Sequence, residues 1–171
     1  QNMVNNQKFL DVYQKYSSDR SQKNEITKIG NAISLLKPGS VLPTVTLETK
    51  EAENVSSDSI IKGKSVIFFW TDKARTHFIE VHKKVLQLQK KYPDYKFIAV
   101  NLDEEHKKWV KTLDGYKLGT ISQFQCNNFE DLKMKWAITK IHRTIVLNAD
   151  GTIKNAFTNL FDNDFEQNLK N

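Results

Sequence analysis

The run Ser-Val-Ile-Phe-Phe-Trp at residues 65–70 most constrains the fold of this chain. It is far shorter than the roughly 20 apolar residues that span a membrane. It also lacks the alternation of polar and apolar residues that marks a sheet with one face in water. A strand that is apolar along nearly its whole length is typical of a sheet covered on both faces. Residues 96–102 have the same character, so the two runs predict the centre of a buried sheet.

Helical patterns separate these strands. Residues 75–92 carry apolar residues at helical spacing and stop before Pro93. Residues 143–148 and 152–157 predict two strands joined by the turn Asn-Ala-Asp-Gly. The other predicted elements are strands around Val45 and Leu47 and at 120–125, a helix capped by Asp103, a helix capped by Asn127 or Asn128, and a last helix at 162–170. Strands alternating with helices predict an α/β fold, a central mixed sheet with helices on both faces.

The first part of the chain has a different character. Residues 4–17 and 22–36 carry apolar residues at helical spacing among mostly polar ones, which predicts two helices, and the second of these ends before Pro38-Gly39. We therefore expect residues 1–37 to form an N-terminal helical extension and residues 38–171 to form the domain. The sequence begins with Gln1, so we expect a trimmed, processed or engineered piece of a longer protein.

Charge and cysteine content exclude several functions. The net charge is +6, from 26 basic and 20 acidic residues. The lysines occur as scattered pairs beside apolar residues, which indicates solvated helix faces and not a nucleic-acid surface. No stretch is long and apolar enough to predict a membrane span. Cys126 is the only cysteine, so neither an intramolecular disulfide nor a four-cysteine zinc site can form.

Several motifs, in this order, resemble a known group of proteins. Pro38-Gly39 precedes the first strand, Trp70 ends an apolar strand, and Asp150-Gly151 closes the later hairpin. Over residues 38–170 the chain resembles the extracytoplasmic thioredoxin-like proteins of bacteria, which include membrane-anchored thiol–disulfide oxidoreductases and related redoxins. The resemblance implies a thioredoxin-like fold. It also implies a location outside the cytoplasm, in the periplasm or on a membrane-anchored lipoprotein.

The departures from this group fall on its catalytic positions. Without gaps, Ala74 and His77 stand where the family has its two cysteines, and His142 stands at its cis-proline. Dithiol exchange needs a reactive thiolate and a second, resolving thiol. A cis bond before a residue other than proline costs about 3 kcal/mol, so we expect a trans bond before His142. The resemblance therefore does not carry its oxidoreductase activity to this chain.

The rim of this degenerate site supplies the candidate binding residues, which are Trp70, Asp72, His77, His142 and Arg143. The fold should bring the two histidines together, with Asp72 on the same rim. Two imidazoles and a carboxylate suit a metal or a small ligand, but their spacing is no local ligand motif, so no metal or cofactor is assigned.

The remaining residues considered for function are Cys126, two further histidines and the tryptophans. Cys126 precedes a helix, where a thiolate can be stabilised, although a structural thiol is favoured. His82 and His106, on predicted helices among lysines, are expected to be exposed. The three tryptophans are expected in the core.

Three functional hypotheses follow. The first is a non-catalytic thioredoxin-like domain of a bacterial envelope protein, a structural module or one that binds another protein or an upstream domain of the same polypeptide. The second is a thiol-dependent redox protein, a peroxidase or disulfide carrier, that uses Cys126 alone. The third is a metal-binding or small-ligand site at His77 and His142.

Overall fold

The computed structural model describes residues 20–170, so the helix predicted at 4–17 lies outside the described residues. Seven strands are present in this part of the chain: β1 (Thr46–Glu48), β2 (Asn54–Ser56), β3 (Ser65–Trp70), β4 (Lys96–Asn101), β5 (Ser122–Gln125), β6 (Thr144–Leu147) and β7 (Ile153–Thr158). The helices are α1 (Arg20–Leu35), α2 (Ser57–Ile60), α3 (Arg75–Lys91), α4 (His106–Asp114) and α5 (Phe129–Trp136). Short 3-10 turns cover Asp72–Ala74 and Phe165–Leu169.

The seven strands form one mixed sheet in the order β2-β1-β5-β4-β3-β6-β7. β3 lies parallel to β4 and antiparallel to β6, with Val66 opposite both Phe97 and Val146. All six residues of β3 are buried, as the apolar run predicted. The predicted hairpin forms at the edge as β6 and β7, and Gly151 occupies its turn with a φ of 82°, which favours glycine.

Two apolar clusters cover the two faces of the sheet, because successive side chains of a strand point to opposite faces. Val66, Phe68 and Trp70 pack on the side of α3 and α4. Ile67 and Phe69 pack on the other side, with α1 and α5. The prediction of helices on both faces is confirmed.

The helix α1 packs on this second side and is part of its core. Ala32, Ile33 and Leu36 are buried there, and α1 contacts α5. The division of the chain into a helical extension at 1–37 and a domain at 38–171 stays a prediction. Within residues 20–170, no helix has the length and apolar character needed to cross a membrane.

Two local predictions change. The last helix is only the 3-10 turn at Phe165–Leu169. Asp103 does not cap α4, which begins at His106 with Glu105 at the N-cap position. The side chain of Asp103 instead accepts hydrogen bonds from the Asp72 amide (2.6 Å) and the Asn101 side chain (3.0 Å). The cap predicted at Asn127 or Asn128 is provided by Asn128, whose side chain accepts from the Asp131 amide at 3.0 Å.

Candidate functional site

The candidate site lies where β3 ends and α3 begins. After Trp70 the chain makes the 3-10 turn Asp72–Ala74 and enters α3 at Arg75. Ala74 occupies the N-cap position, where it makes no side-chain hydrogen bond, and its backbone amide donates to the Thr71 carbonyl at 3.3 Å. Its side chain is a methyl group, so this position offers neither a nucleophile nor a metal ligand.

His77 stands in the first turn of α3 with 8% of its surface exposed. Its Nε2 donates to the Phe69 carbonyl at 3.1 Å, which ties α3 to the end of β3. Burial lowers the pKa of His77, and this effect outweighs the backbone hydrogen bond, which raises it. Because Nε2 is occupied, Nδ1 is the ring nitrogen left for a ligand.

His142 lies against His77, as the predicted fold requires. The ring centroids are 4.6 Å apart and the rings meet edge to face, while His142 itself is exposed. Residues 20–170 contain no cis peptide bond, so the expected trans bond before His142 is confirmed.

Asp72 does not join the two histidines. Its Oδ1 accepts from the Thr112 hydroxyl of α4 at 2.8 Å and lies 3.6 Å from the Arg75 guanidinium. Among the described residues 20–170, no three histidine, cysteine or acidic side chains are grouped in a way that could hold a metal ion. The structure therefore supports a contact between two imidazoles at this point, without the carboxylate that the sequence suggested.

The other two candidate binding residues make internal contacts. Trp70 is fully buried, with its ring 4.5 Å from Phe78 and 5.7 Å from His82. It therefore supports the core beneath the site and presents no face to solvent.

Arg143 holds the chain after α5 in place. Its guanidinium donates to the carbonyls of Ala156 (2.6 Å), Ala137 (2.6 Å) and Trp136 (3.0 Å) and lies 4.0 Å from the centre of the Phe157 ring. Burial lowers the pKa of Arg143 to about 9. These contacts give Arg143 a structural part in the turn that presents His142.

Cys126 lies away from the site. It is 3% exposed and belongs to the cluster on the α1 and α5 side of the sheet, opposite α3. Burial raises the pKa of its thiol to about 11, so the reactive thiolate is disfavoured at neutral pH.

The prediction that His82 is exposed is wrong. It is 3% exposed and packs against Phe68, Trp70 and Phe78. Its Nδ1 donates to the Phe78 carbonyl at 2.8 Å and its Nε2 accepts from the Gln123 amide at 3.0 Å. The helical spacing of His82 from Phe78 was a usable signal. His106 is half-buried and pairs with Glu48.

A groove runs beside the histidine pair. Phe161, 43% exposed, forms one wall and lies 6.2 Å from the His77 ring. The facing wall is one side of α3, made of Glu80, Lys83, Lys84 and Gln87, and the space between has a volume of about 330 Å³. An aromatic ring opposite two lysines suits a segment that carries both an apolar and an acidic side chain.

Comparisons with known proteins agree with this architecture. Residues 63–153 match a family described as thioredoxin-like. One similar crystal structure is of a protein from Bacteroides vulgatus that is described as a thiol-disulfide oxidoreductase. The alignment covers 80% of this chain and 96% of that chain, with 26% sequence identity and a TM-score of 0.69. A second similar crystal structure is of a protein from Chlorobium tepidum that is described as a thiol:disulfide interchange protein. The alignment covers 78% of this chain and 96% of that chain, with 16% sequence identity and a TM-score of 0.63. At this identity the similarity shows only that the fold is shared. No curated protein matches the sequence significantly.

Proposed function

This chain belongs to the thioredoxin-like family, and we propose that it is a non-catalytic member that binds another protein. The observation that carries the proposal is the chemistry at the start of α3. A methyl group stands there at Ala74 and a buried imidazole at His77, the two positions at which the resemblance puts the dithiol.

This site lacks the chemical group that each step of dithiol exchange requires. A thiolate must attack the substrate disulfide and a second thiol must then resolve the mixed disulfide. Ala74 has no nucleophilic atom, and the Nε2 of His77 is engaged with the Phe69 carbonyl. Cys126, on the opposite face of the sheet with a pKa raised to about 11, cannot serve either step without local unfolding.

The surface beside the lost dithiol supports a binding role. Phe161 leaves an aromatic ring half in water, and Lys83 and Lys84 face it across the groove. Exposed aromatic rings flanked by positive charge are favourable anchors at protein interfaces. The partner that fits is a segment of another protein, or of an upstream domain of the same polypeptide, with an apolar residue for Phe161 and an acidic residue for the lysines.

The resemblance to extracytoplasmic proteins adds a location to the proposal. We place the chain in the bacterial envelope, in the periplasm or as part of a membrane-anchored lipoprotein. Fractionation of cells that make the full-length protein tests this, and recovery in the cytoplasmic fraction alone would contradict it.

The absence of dithiol activity is tested by reduction of insulin with a dithiol donor between about pH 6 and pH 8, where an activated cysteine is already partly thiolate. We expect no turnover from the wild-type chain or from Cys126→Ser. The double variant Ala74→Cys/His77→Cys should gain weak activity, and Ala74→Ser/His77→Ser is its matched control. Multiple turnovers by the wild-type chain would contradict the proposal.

The binding role is tested by capture from an envelope extract. Phe161→Asp places a negative charge in the groove and should abolish the retention of bound proteins. Phe129→Asp is the control, because Phe129 has a similar exposure on α5. Equal capture by all three proteins would exclude the groove as the binding surface.

A two-histidine ligand site is the second candidate, favoured by the contact between the rings of His77 and His142. Zinc titration tests it. Binding that is lost in both His77→Gln and His142→Gln would support it.

A further inference from the structure

The loop that follows β7 holds Phe161 in place at the surface. Leu160 before it and Phe165 after it are buried, so the core anchors the loop on both sides. The Asn159 side chain accepts a hydrogen bond from the Phe161 amide, and the Asn159 carbonyl accepts one from the Asp162 amide, both at 3.0 Å. A ring that is already positioned loses little conformational freedom when a partner covers it. Phe161 is therefore suited to anchor an interface.

This loop and the facing wall of the groove carry opposite charges. Asp162 and Asp164 give the loop two negative charges, and both side chains are exposed. On the wall, Lys83 and Lys84 outweigh Glu80 and leave one net positive charge. In the part of the chain that the structure describes, neither of the two aspartates and neither of the two lysines forms an ion pair. One continuous surface thus carries both halves of a set of ion pairs that a single chain leaves unformed.

A second copy of the chain supplies the matching halves. In a dimer with two-fold symmetry the same surface of each copy faces the other, so every contact between different residues occurs twice. A two-fold axis through the groove places the acidic loop of each copy on the lysine wall of the other. The two Phe161 rings then lie side by side between these charged regions.

We propose that this surface, formed by the Phe161 loop and the lysine wall of α3, joins two copies of the chain in a two-fold dimer. The dimer rests on the proposed binding role of the groove and gives it a partner, since the second copy provides both the apolar and the acidic residues that the groove requires. Dimers of this symmetry are the commonest soluble oligomers. A central aromatic residue surrounded by polar ones is also the arrangement that contributes most of the binding energy at interfaces.

Sedimentation equilibrium of the full chain, at concentrations up to about 1 mM, tests for the dimer. We expect a reversible rise with concentration to twice the mass of one chain. Phe161→Asp should weaken the association by about thirtyfold or more, the effect of losing a central aromatic anchor. Phe129→Asp is the matched control, because Phe129 has a similar exposure on α5, and it should associate as the wild type does.

Charge reversal tests the pairing between the two copies. Lys83→Glu/Lys84→Glu places carboxylates opposite the partner's carboxylates, and Asp162→Lys/Asp164→Lys places amines opposite amines. Each double variant alone should therefore associate about tenfold more weakly, through the loss of several surface ion pairs. An equal mixture of the two should form a heterodimer with restored affinity, because opposite charges then face each other across both halves of the interface.

Lys107→Glu/Lys108→Glu is the control for charge, since it reverses two exposed lysines of α4 that do not line the groove, and it should leave the dimer intact. A single-chain mass at every concentration, a dimer that Phe161→Asp does not weaken, or charge-reversed variants that do not pair when mixed would each exclude the dimer. If the chain sediments as a monomer while capture from the envelope extract still depends on Phe161, the dimer is wrong and the proposed binding role stands. Equal capture with and without the Phe161 substitution would contradict both.

Discussion

The burial of His82 makes the stability of this fold sensitive to mild acid. Burial lowers its pKa from the ordinary value of 6.5 to about 4, more than its hydrogen bonds raise it. Between these values the unfolded chain binds a proton that the folded chain does not, so stability falls as the pH falls. The stabilising contribution of neutral His82 is complete above about pH 6.5 and is lost by about pH 4. At roughly 1.4 kcal/mol per pH unit, the loss amounts to about 3 kcal/mol.

The variant His82→Phe isolates this effect, because phenylalanine retains the ring contacts with Phe68, Trp70 and Phe78 and cannot take up a proton. Its loss of the hydrogen bond from Gln123 lowers stability by a similar amount at every pH. Urea unfolding at several values between pH 7 and pH 4 gives the free energy of unfolding of each protein. Wild type should lose about 3 kcal/mol more than the variant over this range.

Other acid-sensitive groups do not obscure the comparison. Hydrogen bonds lower the pKa of Asp94, Asp150 and Glu166, but these contributions are the same in both proteins and cancel. Parallel pH profiles for wild type and His82→Phe would refute the assignment of a neutral, buried imidazole.

Two further predictions concern Cys126 and the start of α5. Because burial raises the pKa of the Cys126 thiol to about 11, a disulfide reagent at pH 7 should label it slowly in the native protein and rapidly in urea; rapid native labelling that is lost in Cys126→Ser would revive the one-cysteine redox hypothesis. Asn128→Ala should lower the free energy of unfolding by about 1 kcal/mol through loss of the helix cap, measured by urea unfolding. Asn127→Ala is the neighbouring control, since the Asn127 side chain donates to the exposed Asn54 and not to the helix, and an equal loss in both variants would argue against the cap.

The central elements could be predicted because their patterns reflect burial directly. β3 is buried at every position and its sequence is apolar at nearly every position, so pattern and structure express the same constraint. The Asn128 cap and the β6–β7 turn are local signals of the same kind. The short elements β2 and α2 escaped prediction because polar segments of three or four residues have no periodicity to detect. The C-terminal segment has two buried anchors, Phe165 and Leu169, which a 3-10 turn satisfies as well as a helix does.

Some contacts of the candidate site could likewise be predicted from the sequence, and others could not. The contact between His77 and His142 followed from the fold, because the end of β3 and the start of the antiparallel β6 are neighbours in it. The orientation of Asp72 did not, because it depends on Thr112, which is forty residues away on α4. The burial of His82 likewise depends on contacts with β3 and on Gln123 of β5. Sequence position alone does not determine which of several polar neighbours forms a hydrogen bond with a given side chain.

The scaffold forms without a pair of cysteines for a physical reason. A disulfide between residues three apart closes a very short loop, so its removal releases little constraint on the unfolded chain. The packing of α3 rests on Phe78, Val81 and Val85 against the sheet, none of which belongs to the reactive positions. His77 adds a hydrogen bond from the first turn of α3 to the Phe69 carbonyl. The fold is therefore compatible with either a dithiol or this histidine, and the function must be inferred from the side chains at the site and not from the fold.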